Sequence, residues 1–383
     1  NGDYSISLDH VEIYNNYAGL SLIETDANIT NSRITDNGHG VFMGNSSNVS
    51  ISQSTISNND LGIDGTGIFM VQGSTLDVTN SILYSNSYGD DDFEIKFSEG
   101  YDPNTVTVSY SNIGSVNTND NGTIAFGDGY ISLDPDFVDA DNGDYSLMAS
   151  SPCINSGNPD STDEDGTIGD MGFSPYINDY SGPDWYVSTS GSDLDGTGSS
   201  ESPFASITAA LSFSSDEDII HVSSGTYVEQ FIIPHDISLI GAGSESTIIS
   251  GGSPSGAQGS LISFASNPGE FDGDMLIQGF TLRDNWAWNG GAINVSALGS
   301  NLILEDLLIT NNSANNGGGG ILLYSSGSVT MTNVTLSGNT ADRAGGGISI
   351  NNTELTMTDC LIEGNETNNG YEGSQQGGAG IFA

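Results

Sequence analysis

Apolar and polar positions recur along this chain in a fixed nine-residue frame. The frame begins with an aliphatic residue or methionine, has a second aliphatic residue five positions later, and ends with asparagine. Alternating apolar positions are typical of half-buried strands, so each frame predicts two short strands joined by a turn. Eight segments fit the frame without a gap: LDHVEIYNN (8–16), ITNSRITDN (29–37), ISQSTISNN (51–59), VTNSILYSN (78–86), IQGFTLRDN (277–285), LEDLLITNN (304–312), MTNVTLSGN (331–339) and MTDCLIEGN (357–365).

The third position of the frame is predicted to be the turn between the two strands. It is mostly occupied by residues that favour turns, and its members are His10, Asn31, Gln53, Asn80, Gly279, Asp306, Asn333 and Asp359.

Glycine-rich segments follow several of the frames and predict a third strand, because glycine readily adopts the positive φ that a sharp turn requires. These segments are GGAI (290–293), GGGGI (317–321), GGGI (345–348) and GAGI (378–381).

The spacing of the frames indicates the fold. Successive frame asparagines are 21, 22 and 27 residues apart in the first half of the chain, and 27, 27 and 26 apart in the second. Other repeat folds of this period need a helix or a four-stranded blade in each repeat, and no helical pattern accompanies these frames. The sequence therefore predicts an all-β protein, a right-handed parallel β-helix with one frame in each coil.

The asparagine that ends each frame is predicted to be structural. Identical amide side chains in successive coils can donate to and accept from one another, which satisfies buried polar groups. We expect one stacked ladder made of Asn16, Asn37, Asn59, Asn86, Asn285, Asn312, Asn339 and Asn365.

Two stretches in mid-chain break the frame. Residues 133–172 (LDPDFVDADNGDYSLMASSPCINSGNPDSTDEDGTIGDMG) resemble the closing segment of pectate-lyase-like parallel β-helix proteins, and residues 185–229, beginning WYVSTSGSDLDGTG, resemble the opening segment of that family. The resemblance implies a short N-terminal capping helix in SPFASITAAL, in mid-chain, and a boundary near residues 178–184. We therefore predict that residues 1–182 form the C-terminal half of a β-helix with its closing cap, and that residues 183–383 form the N-terminal cap and first half of the next.

Charge limits the classes of partner. The chain has 4 Lys and Arg residues against 50 Asp and Glu residues, a formal net charge of −46. Such a surface repels nucleic acid, anionic membranes and acidic polysaccharides. No apolar run has the length of a membrane span. The two cysteines, Cys153 and Cys360, are too few for a disulfide framework, and we expect two free thiols.

The resemblance also raises the question of catalysis, because the family includes polysaccharide lyases and polygalacturonase-type hydrolases. Its lyases use a lysine or arginine as the base, and this chain offers only Arg33, Lys96, Arg283 and Arg343. Arg33 and Arg283 occupy different frame positions, and an acidic surface loop is predicted around Lys96. Gly38-His39-Gly40 is similar to a short polygalacturonase motif, but it lacks the carboxylate pair that hydrolysis needs. We assign no catalytic residue, and an enzyme of this fold remains the alternative.

Calcium is the cofactor that the residues suggest. Two acidic, glycine-containing loops bring together carboxylates at the short spacing that calcium favours. The candidate ligands are Asp160, Asp163, Asp165 and Asp170 in the first loop, and Asp193 and Asp195 in the second. Simple solvation of two turns is the competing interpretation.

Trp286 and Trp288, at a turn, are candidates for stacking on a neutral glycan, although a loop aromatic packed over the neighbouring coil is the commoner arrangement.

These features predict an extracellular or cell-surface structural solenoid: a unit of a filament, stalk or adhesin that associates end to end with copies of itself. The ends of the chain support this expectation. Counted through residue 383 into residue 1 of a following copy, Gly380 and Leu8 lie 11 residues apart, as Gly320 and Met331 do. The copies are expected to be joined either covalently, as tandem repeats, or by stacking of coils between chains.

Overall fold

The computed structural model describes residues 4–59, 66–88, 91–99, 102–118, 121–252, 259–265, 271, 273–296, 298–324, 326–368 and 378–383. The chain divides into two compact units, Asn1–Asp179 (unit 1) and Tyr180–Ala383 (unit 2).

Unit 1 consists of short strands and one 3₁₀ turn, Ala140–Asn142. Its described strands are β1 (Tyr4–Asp9), β2 (Glu12–Tyr14), β3 (Leu20–Ile23), β4 (Thr25–Thr30), β5 (Arg33–Thr35), β6 (Val41–Gly44), β7 (Asn48–Ser52), β8 (Thr55–Ser57), β9 (Ile68–Met70), β10 (Thr75–Thr79), β11 (Ile82–Tyr84), β12 (Ser87–Tyr88), β13 (Asp91–Asp92), β14 (Ile95–Phe97), β15 (Asn104–Ser109), β16 (Asn112–Ile113), β17 (Val116–Asn117), β18 (Gly122–Phe126), β19 (Phe137–Asp139) and β20 (Asp144–Leu147).

Unit 2 consists of strands and one α-helix, α1 (Ile207–Phe213). Its described strands are β21 (Asp184–Val187), β22 (Ile219–Val222), β23 (Gly225–Val228), β24 (Phe231–Ile233), β25 (Ser238–Gly241), β26 (Thr247–Ser250), β27 (Ile262–Phe264), β28 (Asp274–Gln278), β29 (Thr281–Arg283), β30 (Trp286–Ala287), β31 (Ile293–Ser296), β32 (Asn301–Glu305), β33 (Leu308–Thr310), β34 (Ser313–Ala314), β35 (Ile321–Tyr324), β36 (Ser328–Thr332), β37 (Thr335–Ser337), β38 (Thr340–Ala341), β39 (Ile348–Asn351), β40 (Glu354–Thr358), β41 (Leu361–Glu363), β42 (Glu366–Thr367) and β43 (Ile381–Phe382).

Most of these strands form parallel sheets that run along the stack of coils, while β12-β13 and β19-β20 are antiparallel pairs. Unit 1 has a first sheet β1-β4-β7-β10-β15-β18, a second sheet β2-β5-β8-β11-β16 and a third sheet β3-β6-β9-β14-β17. In unit 2 the first sheet is β21-β22-β25-β28-β32-β36-β40, the second is β23-β26-β29-β33-β37-β41 and the third is β24-β27-β31-β35-β39-β43. A short fourth sheet, β30-β34-β38-β42, which the sequence pattern did not predict, lies between the second and third. The predicted parallel β-helix is confirmed.

Strand register places the frame residues in columns. Ile29 pairs with Ile51, and Ile51 with Val78, so the first aliphatic position of successive frames points into one continuous core. All three side chains are fully buried. Burial of such columns is the main stabilising contribution in a fold whose strands are only two to six residues long.

The predicted turn residues have a left-handed backbone. All eight members of the third frame position have positive φ, from 46° at Asn31 to 81° at Gly279. Asparagine, aspartate and glycine tolerate this conformation better than other residues do, which explains why they dominate the position.

The opening of unit 2 is covered by α1, the predicted short capping helix. Ser206 caps its N-terminus, and Glu229 accepts hydrogen bonds from the backbone N–H groups of Ile207 and Thr208. Beneath the helix, the buried Trp185 ring packs against two phenylalanines, and its Nε1 donates to Asp218 at 2.8 Å. This aromatic cluster covers the apolar interior of the first coil.

The closing segment of unit 1 runs back along the second sheet. Arg33 Nη1 donates to the carbonyl of Gly143 at 3.0 Å, and its guanidinium lies over the Tyr145 ring. Further along, the backbone N–H of Phe173 donates to Thr55 Oγ1, and that of Asn158 donates to Asn80 Oδ1. The outward residues Thr55, Ser57 and Ile82 are buried in consequence.

Two expectations about single residues are settled by this fold. Lys96 lies on β14, in the third sheet, and not in a surface loop. The loop expectation was wrong because Ile95 and Phe97, on either side, both point into the core and fix a strand. Cys153 and Cys360 are free thiols. In the described part of the chain, no helix is long and apolar enough to cross a membrane.

Candidate functional site

The frame asparagines of unit 1 form a hydrogen-bonded ladder at the end of the second sheet. Asn37 is representative: its backbone N–H and its Nδ2 both donate to Oδ1 of Asn59, at 3.1 and 3.0 Å. Asn16 makes the same two bonds to Asn37, and Asn59 makes them to Asn86. Asn37, Asn59 and Asn86 are fully buried, so each amide depends on its neighbours in place of water.

Unit 2 has a second, separate ladder of the same kind. The backbone N–H groups of Asn285, Asn312 and Asn339 donate to Oδ1 of the next frame asparagine, ending at Asn365. The Nδ2 groups of Asn312 and Asn339 make the same bond. That of Asn285 instead donates to the carbonyls of Gly259 and Gly291. The eight residues thus lie in two ladders, one in each unit.

Among the described residues, no further coil pairs with the first coil of unit 1 or with the last coil of unit 2. In the first coil of unit 1, the core residues Leu8 and Ile13 are only partly covered and Ile6 is 36% exposed, whereas its register partner Ala27 is 7% exposed. We call the surface formed by Ile6, Leu8 and Ile13 the entry face of unit 1.

The last coil of unit 2 is exposed in the same way. Leu355, Met357 and Ile362 are partly covered, and Ile381 is 41% exposed although its partner Ile348 is fully buried. We call the surface formed by these four residues the exit face of unit 2. Both faces are apolar cross-sections of a core, bordered by strands with unpaired edges.

The acidic loop of unit 1 uses its carboxylates to bind backbone amides. Asp170, buried, accepts from the N–H groups of Asn155 and Tyr176, at 2.7 Å each. Asp163 accepts from the N–H of Asp170, and Asp165 from that of Asn178. Asp160 is exposed at the edge of the loop. The structure therefore brings Asp163, Asp165 and Asp170 together and leaves Asp160 apart.

Burial raises the pKa of Asp170 from 3.8 to about 7, even though two backbone N–H groups favour its charged form. The charges of Asp163 and Asp165 contribute in the same direction. The pKa of Asp163 is also raised, chiefly by burial. These carboxyls therefore carry a proton more readily in the folded chain than in the unfolded one.

The second acidic loop has a structural role of the same type. Asp193 Oδ1 accepts from the backbone N–H groups of Ala205 and Ser206, just before α1 begins, whereas Asp195 is exposed. Across the described ranges, no group of three or more His, Cys, Asp or Glu side chains is arranged to hold a metal ion. Calcium binding at the six aspartates stays a prediction.

The paired tryptophans directly precede Asn289, which lines a groove of mixed polar and apolar residues on unit 2. Trp288 is 52% exposed, and its ring centre is 6.3 Å from that of the less exposed Trp286. The carbonyl of Trp288 accepts from the N–H of Asn316, whose side chain donates to Asn289 Oδ1 at 3.0 Å. The groove has a volume of about 470 Å³, and its lining includes Asn289, Asn316, Tyr324, Arg343, Ser296 and Ser349.

Residues considered for catalysis are dispersed. Arg33 pairs with Glu12 at 2.6 Å and anchors the closing segment. His39 is half-buried, its ring meets Tyr17 edge-on, and its Nδ1 is buried without a hydrogen-bond partner. The nearby carboxylate of Asp36 accepts from the hydroxyl of Tyr145. The structure thus gives these groups packing and anchoring contacts.

The sequence pattern missed two residues that end the ladders. Glu94 and Gln230 each bind a terminal frame asparagine through a side-chain oxygen or nitrogen. Neither occupies the frame position, so no column marked them. Their only signal in the sequence was that each lies where the frame is interrupted.

Comparison with known proteins agrees with this architecture. No curated protein matches the chain. The family model described as "Right handed beta helix region" matches residues 1–150, which confirms the predicted handedness and the β-helix part of the resemblance. A second model, described as "Protein of unknown function (DUF1565)", matches residues 189–381, about half of the chain. The chain therefore belongs to the DUF1565 family of β-helix proteins.

Proposed function

We propose that this protein is an extracellular structural solenoid whose copies associate end to end, through the exit face of unit 2 and the entry face of unit 1. The observation that carries the proposal is the exposure of core residues on these two faces. Ile6 and Ile381 belong to columns that are otherwise buried, and each lies at the end of a stack.

The two faces have matching construction. Each presents one strand of the first sheet, one of the second and one of the third: β1, β2 and β3 on the entry face, and β40, β41 and β43 on the exit face. Stacking the faces would continue all three parallel sheets and bury apolar side chains that are now in contact with water. The occupant to which we commit is a second copy of this chain.

Other surfaces support a structural role outside the cell. The outward positions of the first sheet are mostly polar, as in the column formed by Asn28, Ser50, Asp77 and Thr107 on successive coils. With a net charge of −46, the lateral surface is strongly solvated and keeps neighbouring stacks apart. Lateral repulsion combined with apolar ends favours linear filaments or stalks over amorphous aggregates.

Sedimentation velocity across a concentration series, at physiological ionic strength to screen the charge, tests this function. We expect growth of linear multimers, and we expect Ile381→Glu to leave the protein monomeric. Ile232→Glu is the matched control, because Ile232 is 61% exposed on the lateral surface of unit 2 and lies on neither face. A protein that remains monomeric at all concentrations contradicts the proposal.

A second candidate function is binding of a neutral glycan in the groove of unit 2. Tyr324, 51% exposed, and Trp288 offer ring faces, while Asn289, Asn316 and Arg343 offer hydrogen-bond donors. This combination of aromatic and amide groups suits a sugar ring.

A glycan array followed by titration tests this second function. Trp288→Ala and Tyr324→Ala should each weaken binding about tenfold or more. Tyr17→Ala, on a 76% exposed tyrosine of unit 1, should leave binding unchanged. Release of reducing ends or unsaturated products from any polysaccharide would favour the enzyme alternative.

A further inference from the structure

The asparagine ladders have a direction. In every step of both ladders, the backbone N–H of one asparagine donates to Oδ1 of the asparagine in the following coil. No step runs in the opposite sense. Each ladder therefore has a donor end, toward the C-terminus of its stack, and an acceptor end, toward the N-terminus.

Two of the four ladder ends stop at a residue other than asparagine. Its side chain makes the hydrogen bond that the terminal asparagine needs. At the donor end in unit 1, Glu94 Oε2 accepts from the backbone N–H of Asn86 at 3.4 Å and from its Nδ2 at 2.5 Å. At the acceptor end in unit 2, Gln230 Nε2 donates to Asn285 Oδ1 at 2.7 Å. No further frame asparagine follows Glu94 in unit 1, so the ladder of unit 1 stops at this residue.

The other two ends are open and complementary. Asn365 lies at the donor end of its ladder. Among the described residues, nothing accepts from its backbone N–H, and its Nδ2 donates only to the carbonyl of Leu336. Asn16, in the same coil as the entry face, acts only as a donor, and its Oδ1 receives no hydrogen bond from the described residues. Asn365 is 9% exposed, so its missing acceptor is a loss that water compensates poorly.

A second column changes chemistry at the same place. At the position after the first turn, unit 1 has the serines Ser32, Ser54, Ser81 and Ser111, each of the first three donating its backbone N–H to the next hydroxyl. Unit 2 has an apolar column at this position, formed by Phe280, Leu307, Val334 and Cys360.

The entry coil of unit 1 carries Val11 in this column, the one apolar residue ahead of the serines. Its backbone N–H donates to Ser32 Oγ, so it holds the same place in the coil as the serines that follow. As an apolar residue, Val11 resembles Cys360 and Val334 of unit 2 more than it resembles the serines of unit 1. If Val11 of one copy stacks on Cys360 of another, the column has an apolar residue on each side of the junction.

From these two columns we infer that the junction is one-way: the donor end at Asn365 docks on the acceptor end at Asn16 of a second copy, and neither face docks on itself. Two exit faces would place donor against donor and reverse the strands, and two entry faces would place acceptor against acceptor. The contact is therefore heterologous, which produces an open linear assembly and not a closed dimer. The inference rests on the proposed end-to-end association and adds the hydrogen-bond contacts that fix its polarity.

Disulfide trapping tests the polarity separately from association itself. If β1 extends the first sheet beyond β40, Ser7 lies opposite Thr356, because each sits between the two inward residues of its strand. Adjacent strands hold such positions within the range that a disulfide spans. The background should carry Cys360→Ala, while buried Cys153 can stay because burial raises its thiol pKa to about 12.

Under oxidation, the Ser7→Cys, Thr356→Cys double variant should form a ladder of covalent multimers. Each single variant should remain monomeric on a non-reducing gel. Asn28→Cys with Ser50→Cys, on residues that are paired within unit 1, gives the matched intramolecular control for oxidation. Covalent dimers of either single variant overturn the polarity while leaving end-to-end association intact; absence of any association overturns the proposed function.

The ladder contact is tested by two opposite substitutions. Asn365→Asp keeps the backbone N–H and the acceptor that Asn339 uses, but it replaces the side-chain donor Nδ2 with a carboxylate oxygen that faces the acceptor of the second copy, so the dissociation constant of the assembly should rise at least about tenfold. Asn16→Asp keeps a junction acceptor, as Glu94 does within unit 1. It should change the dissociation constant of the assembly by less than about threefold. Melting curves of the dilute variants check that both are folded. Equal effects of the two substitutions contradict the polarity.

Discussion

The start of unit 2 and the start of unit 1 differ in how far the apolar interior and the end of the asparagine ladder are covered. At the start of unit 2, Trp185 and α1 cover the first coil, and Gln230 supplies the hydrogen that the first ladder asparagine needs. At the start of unit 1, Ile6 remains 36% exposed and Asn16 Oδ1 lacks a donor in the described residues. The start of unit 2 thus has both an apolar cover and a polar terminator, whereas the described first coil of unit 1 has neither.

The largest effect should come from opening the sealed end of unit 2. Trp185→Ala removes a ring that is 2% exposed, and we expect unfolding to become easier by about 3–5 kcal/mol. Hydrogen exchange along β21, β22 and β25 is the measurement. Trp185→Phe, which keeps a ring but loses the donor to Asp218, should cost less. Unchanged protection in the alanine variant would count against the role of this cover.

The same core substitution should cost more stability in a buried coil than in an exposed terminal coil. Met331 and Met357 are partners in register, but only Met331 is fully buried. Met331→Ala should cost about 2–5 kcal/mol, and Met357→Ala about 1 kcal/mol in the dilute monomer. Denaturant titration measures both. If Met357→Ala costs as much as Met331→Ala, the exit face is covered in solution.

Loss of a ladder asparagine should likewise cost more stability in a buried coil than at an exposed end. Asn59→Ala leaves the backbone N–H and the Nδ2 of Asn37 without their acceptor in a fully buried site, at a cost of about 1–3 kcal/mol. Asn16→Ala, at an exposed end, should cost less than about 1 kcal/mol. Thermal melting of dilute samples checks this. Equal costs would mean that the hydrogen bonds within the stack contribute little.

The pH dependence should report on the closing segment of unit 1. Folding raises the pKa of Asp170 from 3.8 to about 7, so the folded chain binds this proton more tightly than the unfolded chain. This contribution to stability is therefore greatest at low pH and is lost as the pH rises from about 4 through 7. Melting curves from pH 4 to 8 with a chelator present, for wild type and Asp170→Asn, measure it. A wild-type profile parallel to that of the variant contradicts the assignment.

Calcium should have the smallest effect. Several oxygens of Asp163, Asp165 and Asp170 are already occupied by backbone N–H groups, which leaves few for a cation. If calcium binds, the melting temperature should rise by about 2 °C above pH 7, where the carboxyls are ionised, and chelation should reverse the rise. Magnesium at equal ionic strength is the control. No change on chelation would identify both acidic loops as ordinary turns.

Much of the fold could be read from local periodicity. A frame position fixes a residue's sheet and the side to which it points, because each coil repeats the same strands and turns. Thus Asn31 and Asp306 have positive φ, as their place in the frame predicts. Lys96 was misplaced because its strand, in the third sheet, lies outside the nine-residue frame.

By itself, the sequence determined the parallel β-helix, its turns, its asparagine columns and its interruption in mid-chain, since all of these repeat or break at short range. Only the tertiary structure decided that the closing segment lies along the second sheet, that Glu94 and Gln230 end the ladders, and that the acidic loops bind backbone amides. Those contacts join non-repeating residues far apart in the chain, and their partners are chosen by the shape and hydrogen-bond sense of an assembled surface that no period encodes.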